Sequence, residues 1–178
     1  MDMDDLLIQA IEDGDVALLA KLLRAGADVS VETGDGTLLH TLTTWGGADT
    51  ITAAPRMAVM LMEAGVDVNA IDPESGRTPL MEAVLSDNLP LVRVLLEHGA
   101  DVSLADKEDG ATALHLAADR ASAECVKLLI EHGADVNARE TDGMTPLQWA
   151  VHFKRHRIAE ILLAHGATPL EQQPPHRW

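Results

Sequence analysis

The phrase Gly133-Ala134-Asp135-Val136 decides the fold of this chain, because it returns along the sequence at a nearly constant interval. Three earlier copies keep its glycine, its aspartate and its final valine: Gly26-Ala27-Asp28-Val29, Gly65-Val66-Asp67-Val68 and Gly99-Ala100-Asp101-Val102. A fifth, altered copy reads Gly166-Ala167-Thr168, and the five glycines are 39, 34, 34 and 33 residues apart. A period of this length is typical of stacked supersecondary units that each pack on their neighbours.

A second phrase follows the same period. It reads Gly76-Arg77-Thr78-Pro79-Leu80, Gly110-Ala111-Thr112-Ala113-Leu114 and Gly143-Met144-Thr145-Pro146-Leu147. The two phrases extend from about Leu6 to about Thr168, and together they resemble the ankyrin repeat, with its Thr-Pro-Leu-His-like helix start and its Gly-Ala-Asp-Val-Asn helix stop. The resemblance implies an all-α solenoid of paired antiparallel helices with short β-hairpin-like finger loops.

The spacing of these phrases predicts a single domain over residues 1–170, followed by a C-terminal tail over residues 171–178. The domain divides into five units at approximately 4–33, 34–75, 76–109, 110–142 and 143–170. The first unit lacks the Thr-Pro-Leu start and opens with acidic residues, so we interpret it as a capping unit.

Local sequence predicts where the helices start and stop. Thr78, Thr112 and Thr145 stand at helix starts, where a hydroxyl can accept from free backbone N–H groups, and proline is well tolerated just after them. Glycine at the end of a second helix favours a left-handed turn. We therefore expect a positive φ at Gly133.

Charge narrows the classes of partner. The formal net charge is −16, which opposes binding to nucleic-acid backbones and favours attraction of basic surfaces. The charge is uneven, because residues 1–75 hold 14 acids and 3 bases whereas residues 143–178 hold 2 acids and 4 bases. We expect another protein with a basic contact surface as the partner, and no nucleic acid.

Catalytic and metal-binding patterns do not stand out in the sequence. There is no glycine-rich phosphate loop, nucleophile elbow or paired-cysteine zinc pattern. His152 and His156 have an i, i+4 spacing that can hold a metal, but they lack an evident third ligand. We expect no enzymatic activity, no cofactor and no metal.

The single cysteine, Cys125, excludes an internal disulfide and is expected to be a small buried residue. The sequence shows neither a secretory signal nor an apolar run of membrane-spanning length. We therefore expect a cytoplasmic protein that does not bind membranes.

The second unit is longer than its neighbours. Aligning Thr37 with Thr78 gives a spacing of 41 residues, so seven residues are inserted between its helices, within 43–52. The insertion is either a tolerated loop extension or a binding loop, because insertions in repeat proteins map to loops that are often functional. Trp45 favours the second interpretation, since a neutral loop needs no apolar anchor.

The ankyrin resemblance implies that partners contact the fingers and the exposed, concave face of the first helices. Carried over unit by unit, this predicts thirteen contact residues: Trp45, Asp72, Glu74, Arg77, Glu82, Lys107, Glu108, Asp119, Arg120, Met144, Trp149, His152 and Phe153. Partner anchors are enriched in tryptophan, which favours Trp149 as an anchor. The alternative is that Trp149 and Phe153 shield the exposed end of the last unit.

The predicted function is non-catalytic binding of a partner protein by an elongated scaffold. Small size and strong acidity suggest one alternative, an inhibitor or immunity protein that occludes a basic enzyme or toxin. A second alternative is an adaptor or assembly subunit.

Overall fold

The computed structural model describes residues 2–34, 36–44 and 48–169, and this part of the chain forms five successive helix pairs. The pairs are α1 (Met3–Glu12) with α2 (Val16–Arg24), α3 (Leu38–Thr44) with α4 (Ala48–Glu63), α5 (Pro79–Leu85) with α6 (Leu89–Glu97), α7 (Ala113–Arg120) with α8 (Ala123–Glu131), and α9 (Pro146–His152) with α10 (His156–Ala164). The predicted all-α solenoid is confirmed.

The helices stack in two layers. The first helices α1, α3, α5, α7 and α9 contact one another in sequence order, and so do the second helices α2, α4, α6, α8 and α10. The core between the layers is aliphatic, with fully buried side chains that include Leu19, Leu61, Leu95, Leu114 and Leu129. Each unit therefore buries its apolar face against the next unit, as expected of a solenoid.

The predicted helix starts are confirmed in the third and fifth units. Thr78 Oγ1 accepts a hydrogen bond from Met81 N at 3.3 Å, and Thr145 Oγ1 accepts one from Gln148 N at 3.3 Å. The prolines that follow these threonines occupy the first helical positions, where a missing N–H costs nothing.

The predicted helix stop is also confirmed. Gly133 has a φ of +90°, and its counterparts in the other units have φ values between 82° and 105°. The histidine before the stop is structural as well, because Nδ1 of His98, His132 and His165 lies 2.7–2.9 Å from the carbonyl oxygen four residues earlier.

The insertion in the second unit is helical over much of its length, which corrects the prediction of an inserted loop. α4 has 16 residues, whereas each of the other second helices has nine. Counted back from the stop glycine, its seven additional residues precede Pro55, which consequently lies inside the helix. Trp45 lies outside the described residues.

The fingers connect each unit to the next first helix. In the first finger, β1 (Glu32–Thr33) pairs antiparallel with β2 (Gly36–Thr37), and the third finger has a single bridge between Ala105 and Thr112. Backbone hydrogen bonds also join neighbouring fingers, from Lys107 N to Ser75 O at 2.8 Å and from Thr141 N to Asp109 O at 2.8 Å. The second, third and fourth fingers thus form a continuous row.

Buried histidines connect the first helices to the following fingers. His115 Nε2 lies 3.1 Å from Met144 O, and Nδ1 accepts from Thr112 N at 3.3 Å. The carbonyl can only accept, so the proton is on Nε2. Burial lowers the pKa of His115 below its ordinary value and keeps the ring neutral. His40 makes the same bridge to Arg77 O at 3.1 Å.

Candidate functional site

Two cavities open on the surface that the fingers and the first helices share, which we call the finger face. It comprises residues 32–34, 36–37, 72–78, 106–112 and 139–145 together with α3, α5, α7 and α9. The first cavity has a volume of about 270 Å³ and is lined by Gly34, His40, Asp72, Glu74, Ser75, Glu82 and Glu108. Four of the predicted contact residues, all carboxylates, therefore lie in one cavity.

Arg77 stands beside this cavity and is neutralised within the chain. Its Nη2 donates to Glu108 Oε2 at 2.7 Å, its Nη1 lies 3.5 Å from Glu82 Oε1, and its Nε lies 3.8 Å from Asp106 Oδ2. The guanidinium joins the second finger, on which Arg77 lies, to the third finger and to α5. Arg77 was predicted to contact a partner, and its first role in the structure is to hold these acidic residues in place.

Asp72 shapes the finger that borders the first cavity. Its Oδ1 accepts hydrogen bonds from Ser75 Oγ at 2.6 Å and from Ser75 N at 2.7 Å, and its own N donates to Arg77 O. Burial opposes ionisation of the carboxyl, but the bonds from Ser75 hold the pKa of Asp72 below its ordinary value. Asp72 is therefore a charged residue built into the finger, and it is 9% exposed.

The second cavity has a volume of about 310 Å³ and lies at the other end of the finger face. Its lining residues are Asp109, Glu140, Asp142, Met144, Trp149, His152 and Phe153. Four of these were predicted contact residues: Met144, Trp149, His152 and Phe153. The sequence left open whether Trp149 and Phe153 bind a partner or cap the unit, and it did not show that these four residues share a cavity.

The aromatic rings of the second cavity form one cluster of edge-to-face contacts. The Trp149 ring lies 5.5 Å from the His115 ring and 5.9 Å from the Phe153 ring, and the His152 ring lies 4.8 Å from the Phe153 ring. Trp149 is half-buried against the core, whereas Phe153 is 43% exposed. Trp149 thus anchors the cluster, and Phe153 presents it to solvent.

Carboxylates also line the second cavity, and we call Asp109, Glu140 and Asp142 its carboxylate wall and Trp149, His152 and Phe153 its aromatic wall. Glu140 is buried, and its two oxygens accept from Met144 N at 2.7 Å and Asp142 N at 2.9 Å. Burial, followed by repulsion from Asp106 and Glu140, raises the pKa of Asp109 above its ordinary value. In the described part of the chain, no Lys or Arg forms an ion pair with Asp109, Glu140 or Asp142.

Besides Arg77, three predicted contact residues of the described chain line neither cavity. Lys107 Nζ donates to Pro73 O at 3.0 Å, so it joins two fingers. Asp119 and Arg120 pair with each other at 3.0 Å at the end of α7, and Asp119 O accepts from Arg155 Nη1 at 2.9 Å. Each of these residues is engaged within the chain, and none of them lines a cavity with the other candidates.

Sequence reasoning missed several lining residues, including His40, Ser75, Asp109 and Asp142. A signal for two of them was present, because Asp109-Gly110 and Asp142-Gly143 repeat one motif at one position of the unit. No comparable signal marks Ser75, whose place in the lining follows from the turn around Asp72.

The finger face is more acidic than the surface of the second helices. Residues 72–82, 106–109 and 139–142 contain eight carboxylates and three cations. A larger cavity, of about 450 Å³, lies between α6 and α8, but its charges are balanced by Arg93 and Lys127 against Glu124 and Glu131. Electrostatic attraction of a basic partner therefore favours the finger face.

The described residues also limit the chemistry. Among residues 2–34, 36–44 and 48–169, no group of three or more His, Cys, Asp and Glu side chains is arranged to hold a metal ion. Within the same ranges, none of the helices combines the length and the apolarity needed to cross a membrane. Burial raises the pKa of Cys125 to about 12, so its thiol is protonated and unreactive at neutral pH.

Comparison with known proteins identifies the repeat. A family model described as ankyrin repeats matches residues 7–106 and 103–173. Rabankyrin-5 of Homo sapiens is 30% identical over 183 residues, and the match covers 96% of this chain and 12% of the human protein. The chain thus spans about an eighth of the length of this relative. Ankyrin repeats generally mediate protein–protein interaction and are typically non-catalytic. The chain belongs to the ankyrin repeat family.

Proposed function

We propose that this chain binds a partner protein non-covalently through its finger face, and that the partner presents a basic surface. One observation carries the proposal: eight of the thirteen predicted contact residues line two cavities on a single face. They are Asp72, Glu74, Glu82, Glu108, Met144, Trp149, His152 and Phe153. Convergence of residues from three units on one face is what a protein-binding surface requires.

The charge of this face supports a basic partner. Each of the three cations in residues 72–82, 106–109 and 139–142 is engaged within the chain: Arg77 with three carboxylates, Lys107 with Pro73 O, and Arg139 Nη1 with Gly143 O at 2.6 Å. The excess carboxylates remain available, and complementary charge governs encounter and choice of partner.

The rigidity of the face supports binding by a preformed surface. Hydrogen bonds from finger to finger and from His40 and His115 to the next unit fix the spacing of the cavities. A surface ordered before binding loses less conformational entropy when the partner docks. We accordingly propose that residues 1–170 act as one domain.

The proposed function has two narrower versions, which differ in the kind of partner that is bound. The acidity of the face favours an inhibitor that occludes a basic enzyme or toxin, whereas an adaptor would join several proteins. We propose a cytoplasmic location for either version, supported by the buried, unpaired Cys125.

The experiment is affinity capture from the native host with three immobilised proteins. We expect wild type to retain a basic partner and the double variant Glu74→Lys/Glu108→Lys to lose it. The matched control, Glu97→Lys/Glu131→Lys, reverses two exposed charges on the second helices and should retain the partner. Equal capture by both double variants would contradict the assignment to the finger face. Capture of one enzyme that is inhibited by the chain would favour the inhibitor, and capture of a multi-protein complex would favour the adaptor.

A further inference from the structure

We propose that the second cavity receives the guanidinium of an arginine side chain from the partner. This inference rests on the proposed function and specifies the chemistry of one part of the same face. The cavity has two unlike walls, one of aromatic rings and one of carboxylates, and it is a surface pocket of about 310 Å³. That volume is at the lower end of the range for ligand pockets and suits a single long side chain.

The aromatic wall favours a cation over a neutral apolar group. Trp149 and Phe153 both line the cavity, with ring centroids 5.9 Å apart and an interplanar angle of 69°. The face of an aromatic ring attracts a cation placed over it, and tryptophan does so most strongly. An aliphatic side chain would gain burial from these rings but would leave the carboxylate wall without a partner.

The carboxylate wall carries negative charge that the described chain does not neutralise. Asp109 and Asp142 are exposed, and neither forms an ion pair in the described residues. Partial desolvation and repulsion from the surrounding acidic residues raise the pKa of Asp109 above its ordinary value. A nearby cation would offset this repulsion and favour the ionised carboxylate. In contrast, the corresponding carboxylate Glu108 of the first cavity is already paired with Arg77 at 2.7 Å.

Arginine fits both walls better than lysine does. A guanidinium is planar, so it can stack on an aromatic ring while its N–H groups point sideways to carboxylates. An ammonium is a compact and strongly hydrated charge that loses more hydration on entering such a pocket. The geometry therefore selects an arginine as the residue that the partner inserts here.

The test uses the full chain with Trp45→Phe and Trp178→Phe, so that Trp149 is its single tryptophan. Its indole N–H signal is followed by NMR during titration with Nα-acetyl-arginine amide, with the neutral citrulline amide and with the lysine amide. We expect saturable shifts at Trp149 and at residues 140–144 with the arginine probe. Binding of the citrulline probe should be weaker by about fivefold or more, and lysine should be intermediate.

Variants distinguish the two walls. Asp109→Asn/Asp142→Asn and, separately, Phe153→Ala should each weaken binding of the arginine probe by about threefold or more. The first variant removes the two exposed charges of the carboxylate wall, and the second removes one ring of the aromatic wall. The matched control Glu97→Gln/Glu131→Gln removes two charges from the second helices and should leave binding unchanged. Phe153 is partly exposed, so its loss leaves the core intact.

Three outcomes would overturn the inference: no shift at Trp149 up to about 50 mM arginine probe, equal affinity for citrulline, or an unchanged affinity in both pocket variants. The proposed function can survive any of them, because partner capture that depends on Glu74 and Glu108 would still place binding on the finger face. Loss of that dependence as well would remove both proposals.

Discussion

At the scale of single residues, Gly133 tests how the second helices end. Its φ of +90° lies in the left-handed region, and a Cβ added there would meet no atom within 4 Å. The backbone conformation alone therefore requires glycine. Gly133→Val should lower the free energy of unfolding by about 1–3 kcal/mol, because a β-branched residue is strained at this φ.

Thermal and urea unfolding of Gly133→Val and Gly133→Asn would measure this effect. Asparagine tolerates the left-handed region better than valine does, so its cost should be smaller by about 1 kcal/mol. Equal stability of Gly133→Val and wild type would show that the helix stop does not depend on the glycine.

Residues with a fixed role in the repeat could be predicted from sequence, whereas pairings between units could not. The caps at Thr78 and Thr145 and the turn at Gly133 each depend on a few consecutive residues. Arg77 was chosen for its position on a finger, but its ion pair with Glu108 depends on the stacking of two fingers 31 residues apart. A local sequence pattern does not show which side chains meet when two fingers stack.

At the scale of elements, the extra length of α4 explains why the insertion was misread as a loop. Seven residues make about two turns of helix, so they lengthen a helix while keeping its buried face in phase. Ala54 and Met57, on either side of the internal proline, are accordingly both buried in the core. Pro55 lacks an N–H and so removes one backbone hydrogen bond, yet α4 continues through it to Glu63.

The contact between fingers supplies a prediction at the scale of elements. Gly76 and Gly99 both have positive φ, of 72° and 88°, but only Gly76 is crowded: an added Cβ would clash with Lys107 Cγ and lie 2.8 Å from Lys107 N. Gly76→Ala should therefore cost about 2–4 kcal/mol, against about 1–2 kcal/mol for Gly99→Ala.

Urea unfolding of the two alanine variants, followed by circular dichroism, gives the comparison directly. Equal losses would mean that the fingers separate without cost and that the bond from Lys107 N to Ser75 O does not hold them. A larger loss in Gly76→Ala would support the rigid row of fingers on which the proposed binding face depends.

At the scale of the whole molecule, the repeat determines the architecture and the side chains on the finger face determine the partner. The sequence predicted the solenoid because its two phrases recur in nearly every unit. It predicted the candidate site in part, because the repeat position shows which residues are exposed but not which of them share a cavity. The second cavity combines the aromatic side chains of α9 and of Phe153, just after it, with carboxylates from two fingers.

The uneven charge of the molecule gives the last prediction. With 14 acids and 3 bases in residues 1–75 and an acidic finger face, association with a basic partner should be steered electrostatically. Screening shortens the reach of the field from about 14 Å at about 50 mM salt to about 4 Å at about 500 mM. Association should therefore slow severalfold over this range, with a smaller change in dissociation.

Surface plasmon resonance with the captured partner would measure both rates for wild type, Glu74→Lys/Glu108→Lys and the control Glu97→Lys/Glu131→Lys. Asp72 is left unchanged because its carboxylate holds the finger through Ser75, so reversing it would alter the fold together with the charge. The finger-face variant should associate slowly even at low salt, and its rate should depend less on salt than that of wild type, because part of the attraction has been removed. The control has the same net charge, so a similar loss in both variants would trace steering to overall charge. A salt-independent association rate in wild type would limit the acidity to a role in solubility.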